Sequence, residues 1–212
     1  MNKRSGIESR KRIIKAAMDV FSKRGYAKAN IREIAKVAGI SVGGVYLYFK
    51  NKEELYKSLI QDKRREMGTR IETAIEKAES EAHALSNFLG LYLDYALKHK
   101  EFILLHIREY GFAFGVAEKK KFFTKQRELV KQILQRGIQS GEFRKCNAND
   151  MAKIIMGSLR GIVLSMALDD DVTITPKMLN EFIFNGLLPA HEKKLRINEH
   201  RYNHIKSKNS GE

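Results

Sequence analysis

Residues 30–52 read NIREIAKVAGISVGGVYLYFKNK, and the fold turns on them. Ile31, Ile34, Ala35 and Ala38 recur at helical spacing, which predicts a short helix over 30–37 with one apolar face. Asn30 stands where a side-chain oxygen caps free backbone N–H groups, and Gly39 suits the left-handed turn that ends the helix. Ser41 is placed to cap a second short helix running to about Tyr48. Two short helices joined by a tight glycine-containing turn make the DNA-binding helix-turn-helix, whose second helix enters the major groove. An ordinary helical hairpin in a core is the competing reading. Against it, Val42, Gly43, Gly44, Tyr46 and Tyr48 make a poor helix on propensity alone. Small residues there admit close approach to a surface, and tyrosine hydroxyls reach phosphate oxygens.

Charge points the same way. The 212 residues include 40 Lys and Arg against 25 Asp and Glu, a formal net charge of +15. Residues 1–65 hold 17 of the basic and six of the acidic residues, so eleven of those charges surround the helix-turn-helix. Such clustering is the electrostatic footprint of a polyanion binder. Charge alone fits RNA or a membrane surface; the motif selects duplex DNA. With 43% hydrophobic residues the chain sustains a real core. No apolar run is expected to span a membrane, and the basic start leads into no signal-like segment. A single cysteine, Cys146, excludes an internal disulfide framework or a cysteine metal cluster. A bacterial-type cytoplasmic location is the simplest expectation.

Within the DNA unit, residues 1–7 are expected to form a flexible basic arm. Residues 8–23 form an amphipathic helix with Ile13, Ile14, Ala17, Val20 and Phe21 on one face, ended by Gly25. Arg32 is exposed by the apolar spacing around it and suits a bidentate bond to guanine or a phosphate clamp. Val42 and Leu47 suit thymine methyls, Gly44 permits close approach, and Lys50 and Lys52 suit phosphate. The candidate DNA-binding set is therefore Asn30, Arg32, Ser41, Val42, Gly43, Gly44, Tyr46, Leu47, Tyr48, Lys50 and Lys52.

Asn51 should cap a long, heavily charged helix that continues through Leu55, Leu59, Met67, Ile71 and Ile75 to about Glu79. Helical patterns follow at 84–98, 102–110, 118–139 and 148–168. A last helix begins at Thr175-Pro176, a cap followed by proline in the first turn, and runs to Pro189. No strand alternation competes anywhere. The fold class is all-α: an N-terminal three-helix helix-turn-helix domain over 1–50, and a helical bundle over 51–212 with 51–79 as the connecting helix.

Phe21, Gly25-Tyr26, Ile31, Ile34-Ala35, Ala38-Gly39-Ile40-Ser41, Gly43, Tyr46, Tyr48-Phe49 and Lys52-Glu53-Glu54-Leu55 together resemble the N-terminal domain of TetR-family transcriptional regulators, over about residues 8–60. The chain departs from that pattern at Ala29-Asn30, where many members have Thr or Ser, and at Tyr48, where many have His. Asn30 still caps and Tyr48 still reaches a phosphate. The resemblance implies a fourth helix that transmits ligand binding, an aromatic-lined effector cavity in the second domain, and two C-terminal helices forming a four-helix dimer interface. The positions that match such a cavity are Phe88, Tyr92, Tyr95, Phe102, His106, Tyr110, Phe123, Met156 and Arg160, with Arg108 and Arg160 available to an anionic group. On residues alone an aromatic stripe of this kind is ordinary core. The matching interface positions are Ile155, Gly161, Ile162, Phe182, Phe184 and Leu187.

No catalytic constellation accompanies these features. The six His show no metal spacing with Cys or acids, and Asp169-Asp170-Asp171 lacks a calcium-loop pattern. Neither an enzyme nor a cofactor or metal is expected. The expected function is a ligand-responsive homodimeric repressor that binds a palindromic double-stranded DNA operator and is released by a small apolar or acyl-type effector. An architectural DNA-binding protein without a ligand is the alternative.

Overall fold

The computed structural model describes residues 3–100, 103–104, 116–169 and 171–188, with the backbone alone at 3–4 and 116–119. Among the described residues there are helices and no strands: α1 (Lys3–Lys28), α2 (Ile31–Ala38), α3 (Val42–Tyr46), α4 (Lys52–Glu76), α5 (Glu81–Lys98), α6 (Val116–Ser140), α7 (Ala148–Leu168) and α8 (Pro176–Leu187). The all-α class stands. The pattern at 102–110, with Phe102, His106, Arg108 and Tyr110, lies outside the described residues.

Local chemistry sets most of the helix starts. The side chains of Asn30, Ser41 and Asn51 accept from the backbone N–H of Glu33 (2.8 Å), Gly44 (3.0 Å) and Glu54 (2.8 Å), as the sequence predicts. Thr175 caps α8 ahead of Pro176 in the same way. Gly39 takes the left-handed conformation (φ 64, ψ 39) and closes α2. One expectation about α1 is corrected: the helix begins at Lys3, so residues 3–7 are no loose arm. Gly25, at φ 77 and ψ 160, breaks the helical path where the sequence predicts it, and a further short helical segment runs on to Lys28.

Two apolar cores form. The first gathers Ile13, Ala17, Phe21, Ile34, Val45 and Phe49 with Leu55, Tyr56, Leu59 and Ile60. The second gathers Met67 and Ile71 with Leu85, Phe88, Leu93, Ile133, Leu159 and Ile183. α4 therefore gives its first turns to one core and its middle to the other. α4 thus links the two cores.

The α5–α6 corner is built from polar contacts around one tight approach. Glu142 accepts from the N–H groups of Glu81 (3.3 Å) and Ala82 (3.0 Å) at the start of α5. Arg136 grips Glu81 through two bonds of 2.6 and 3.0 Å. Beneath them Phe143 lies flat on Gly137, where a Cβ would meet its ring carbons at 2.2 and 2.4 Å.

The expectation that no segment could span a membrane needs correction: α7 is long and apolar enough, with a mean hydropathy of 1.5. Its composition has another cause. Ala152, Ile155, Met156 and Leu159 are buried in the second core, while Ile154, Leu164 and Leu168 are exposed on its other side.

Gly137→Ala should lower stability to urea by about 1–3 kcal/mol, because Phe143 must move. Gly68→Ala, in α4 with open space beside it, should raise stability by about 0.5–1 kcal/mol through helix propensity. Equal effects of the two substitutions would show that the Phe143 contact is slack.

Candidate nucleic-acid interface and effector cluster

α2 and α3 present one continuous outer surface. Val37, Val42, Tyr46 and Leu47 are exposed there, Leu47 at 76%. Val37 was missed by sequence reasoning because it falls off the buried stripe of α2, which is also why it is free to face outward. Arg32 and Lys36 stand exposed on the same helix, and Arg32 makes no ion pair among the described residues. Glu33 is held by Arg24 at 3.2 Å and so offers Arg32 no competing carboxylate. Val45 and Phe49 face inward and anchor α3. Tyr48 is half-buried against this core, and Lys50 is exposed.

Two residues of the expected set have other duties. A Cβ on Gly44 would meet Ile40 Cγ2 at 2.5 Å and Ser41 Oγ at 3.1 Å, so Gly44 is required by packing within the turn. Gly43 has open space around it and is the glycine that admits close approach. Lys52 is no free phosphate ligand. Its Nζ donates to the carbonyls of Tyr26 (2.8 Å), Ala27 (3.2 Å) and Ala29 (3.0 Å), and lies 4.4 Å from the centre of the Tyr26 ring. Sequence position suggested a basic residue beyond the reading helix; only the fold reveals three carbonyls left by the kinked end of α1.

The aromatic positions divide. Phe88 and Tyr92 stack at 6.0 Å, and the Arg160 guanidinium lies 4.1 Å from the centre of the Phe123 ring. Burial raises the pKa of the Tyr92 hydroxyl, and the charge of Arg160 opposes that rise. Met156 is buried in the same core. Gln126, unpredicted from sequence, is 1% exposed on α6, and its Oε1 has no hydrogen-bond partner among the described residues. Tyr95 departs from this group. It packs on His99 at 4.5 Å and faces α4, where burial first and the charge of Glu66 second raise its pKa.

The six interface positions also divide. Ile155, Phe184 and Leu187 are buried within the chain's own second core, so they are not available to a partner. Phe182 is 71% exposed, Gly161 is exposed and Ile162 half-buried. Ile154, Leu164, Leu168 and Met178 complete an exposed apolar face on α7 and α8 that sequence reasoning had not separated from the core.

Residues 13–59 match the family described as bacterial regulatory proteins, tetR family, and residues 116–188 match the C-terminal region of QacR-like proteins. The chain is 27% identical over 181 residues to the fatty acid metabolism regulator protein of Bacillus subtilis, covering 82% of this chain and 93% of that protein. It is similar to the structure of the fatty acid degradation regulator FadR from Bacillus halodurans, with TM-score 0.69 and 26% identity over 84% of this chain and 98% of that one. It is also similar to FadR from Bacillus subtilis in complex with stearoyl-CoA, with TM-score 0.65 and 26% identity over 81% of this chain and 94% of that one.

Replacing Lys52 by Met should lower stability to urea by about 2 kcal/mol, since three carbonyls lose a charged donor. A Lys52→Met protein as stable as the parent would return the residue to the surface set.

Proposed function

The chain belongs to the TetR family of bacterial transcriptional regulators, and we propose that it works as a homodimeric repressor released from a palindromic operator by an acyl-type effector. Its relatives are DNA-binding regulators rather than enzymes. The observation that carries the reading is the α2–α3 surface, where exposed Val42, Tyr46 and Leu47 stand beside an Arg32 that no carboxylate holds. Apolar side chains suit thymine methyls in the major groove, and the flanking cations suit phosphate. Arg32, Val42, Gly43, Tyr46, Leu47, Tyr48 and Lys50 make the contacts in this proposal. Asn30 and Ser41 cap the two helices and Gly44 shapes the turn between them.

The two reading helices of a dimer lie about 34–36 Å apart, or a multiple of that, along one face of the duplex. The exposed side chains of Ile154, Leu164, Leu168, Met178 and Phe182 are apolar, and with Gly161 they suit α7 and α8 to pack on a second copy. The effector occupies the region of Phe88, Tyr92, Phe123, Met156 and Arg160, with Arg160 near its anionic group and Gln126 Oε1 available to a donor. Likeness to a regulator solved with stearoyl-CoA supports an acyl ligand there. Residues 1–50 form the reading domain, residues 51–212 the effector and dimer domain, and the protein acts in the cytoplasm.

Selection of bound duplexes from a random pool at physiological salt tests the whole reading. A palindromic winner that stearoyl-CoA releases is expected, and binding without sequence preference would leave an architectural protein instead. Arg32→Ala should cost about 1–3 kcal/mol and relax preference at one base pair of each half-site; equal weakening on every sequence would place Arg32 on phosphate. Phe182→Glu should yield folded monomers in sedimentation, because this side chain has no role in the core. An intact dimer would remove α8 from the interface.

A further inference from the structure

A groove of about 1100 Å³ runs along α4 between the start of α1 and one face of α5, and neither Tyr92, Phe123 nor Arg160 lines it. Its inner surface is apolar: Met67 and Ile71 are buried, and Leu91 and Tyr95 half-buried. Its outer edges are cationic. Six Lys and Arg line it against three carboxylates, and two of those carboxylates are already matched. Asp62 is held by Arg10 at 2.8 Å and Arg65 at 4.0 Å, and Glu66 by Lys63 at 2.8 Å. Lys11, Arg70, Lys77 and Lys98 make no ion pair among the described residues. Arg70 and Lys98 both act electrostatically on His99, so they converge on the same end of α5. Asp94 and the Glu66 carboxylate, whose pKa is lowered by Lys63 and further by Arg70, offset part of this charge; the cations left over around an apolar trench repel one another until an anion enters.

We propose that this groove binds an amphipathic anion, its apolar chain along Met67, Ile71, Leu91 and Tyr95 and its phosphate or carboxylate head group on Arg70 and Lys98. The site is separate from the effector cluster and does not rest on that reading. It borders the contact that ties the reading domain to α4, because Arg10 of α1 both bonds Asp62 and lies 5.5 Å from the centre of the Phe49 ring just after α3. Arg10 and Asp62 themselves line the groove, so an anion bound in it adds negative charge beside this contact, loosens α1 from α4 and opposes DNA binding.

The test is calorimetric titration of the full chain with decyl phosphate below its micellar concentration, beside decanoate, decanol and inorganic phosphate. Decyl phosphate or decanoate should bind at least about tenfold more tightly than decanol or inorganic phosphate, and the tighter of the two identifies the head group. Arg70→Glu and Lys98→Glu, both at exposed positions and checked for helical content, should each weaken binding by about tenfold. Both reversals are repeated in an Arg160→Gln background, where binding at the effector cluster is weakened and the groove component should persist. A component that survives both charge reversals in that background, or that is lost with Arg160→Gln alone, would overturn the site. A duplex that stays bound at saturating decyl phosphate would overturn the coupling to DNA.

Discussion

The ammonium group of Lys52 holds the DNA-facing half of the molecule in shape. Gly25 bends α1 out of its helical path, and the last carbonyls of that segment point away from any intrahelical donor. Lys52, the first residue of α4, fills this gap with three hydrogen bonds and covers the Tyr26 ring. A cation at a helix C-terminus also meets the negative end of the helix dipole. Around it Phe21, Tyr26 and Tyr56 pack at 5.1–5.6 Å between ring centres. The end of α1 is thereby fastened to the start of α4, and α2 and α3 hang from the chain between those two points. A five-residue helix such as α3 cannot be stable alone. Its orientation comes from Val45 and Phe49 in the core and from Ile40 pressed against Gly44.

α4 then carries that arrangement into the second half. Its 25 residues extend about 37 Å at 1.5 Å per residue. Leu55, Tyr56, Leu59 and Ile60 are fixed in one core and Met67 and Ile71 in the other. A close-packed helix shared by two cores cannot shift in one without disturbing the other. The Arg10–Asp62 pair sits between these two sets of anchors, at 2.8 Å and only partly covered. Its small energy makes it an adjustable contact rather than a structural one.

Helix starts were legible because capping is local. Asn30, Ser41, Asn51 and Thr175 each bond an N–H three residues on, a relation the sequence contains by itself. The pattern of Ile31, Ile34, Ala35 and Ala38 was legible for the same reason. Lys50 and Lys52 are alike in sequence, yet one is exposed and the other spans more than twenty residues to reach the carbonyls of α1. That difference exists only in three dimensions. α8 misled differently. Met178, Leu179, Phe182, Ile183, Phe184 and Leu187 span more than one core face, and the polar side of Lys177, Asn180, Glu181 and Asn185 does not mark which part of that span meets the chain's own core. The structure buries Leu179, Ile183, Phe184 and Leu187 and leaves Met178 and Phe182 outside. On α5, Phe88, Tyr92 and Tyr95 look equivalent as aromatics, and only the placement of Arg160 and Glu66 separates them.

α7 shows why its composition resembles that of a membrane span. One side is buried in the second core, Arg160 lies against Phe123 of α6, and Ile154, Leu164 and Leu168 are exposed. A helix with protein on one side and an uncovered apolar face on another must be apolar through most of its circumference. Lipid is a poor cover for it, since Lys153, Arg160 and Asp150 interrupt the helix and Lys153 pairs with Asp150 at 2.9 Å in the open. A second protein surface demands no such burial of charge. Because one rigid helix bears both Arg160 and the exposed face, a displacement of Arg160 along the helix axis moves Ile154, Leu164 and Leu168 by the same amount. In the proposed function, ligand contact at Arg160 and packing at the outer face are therefore mechanically coupled.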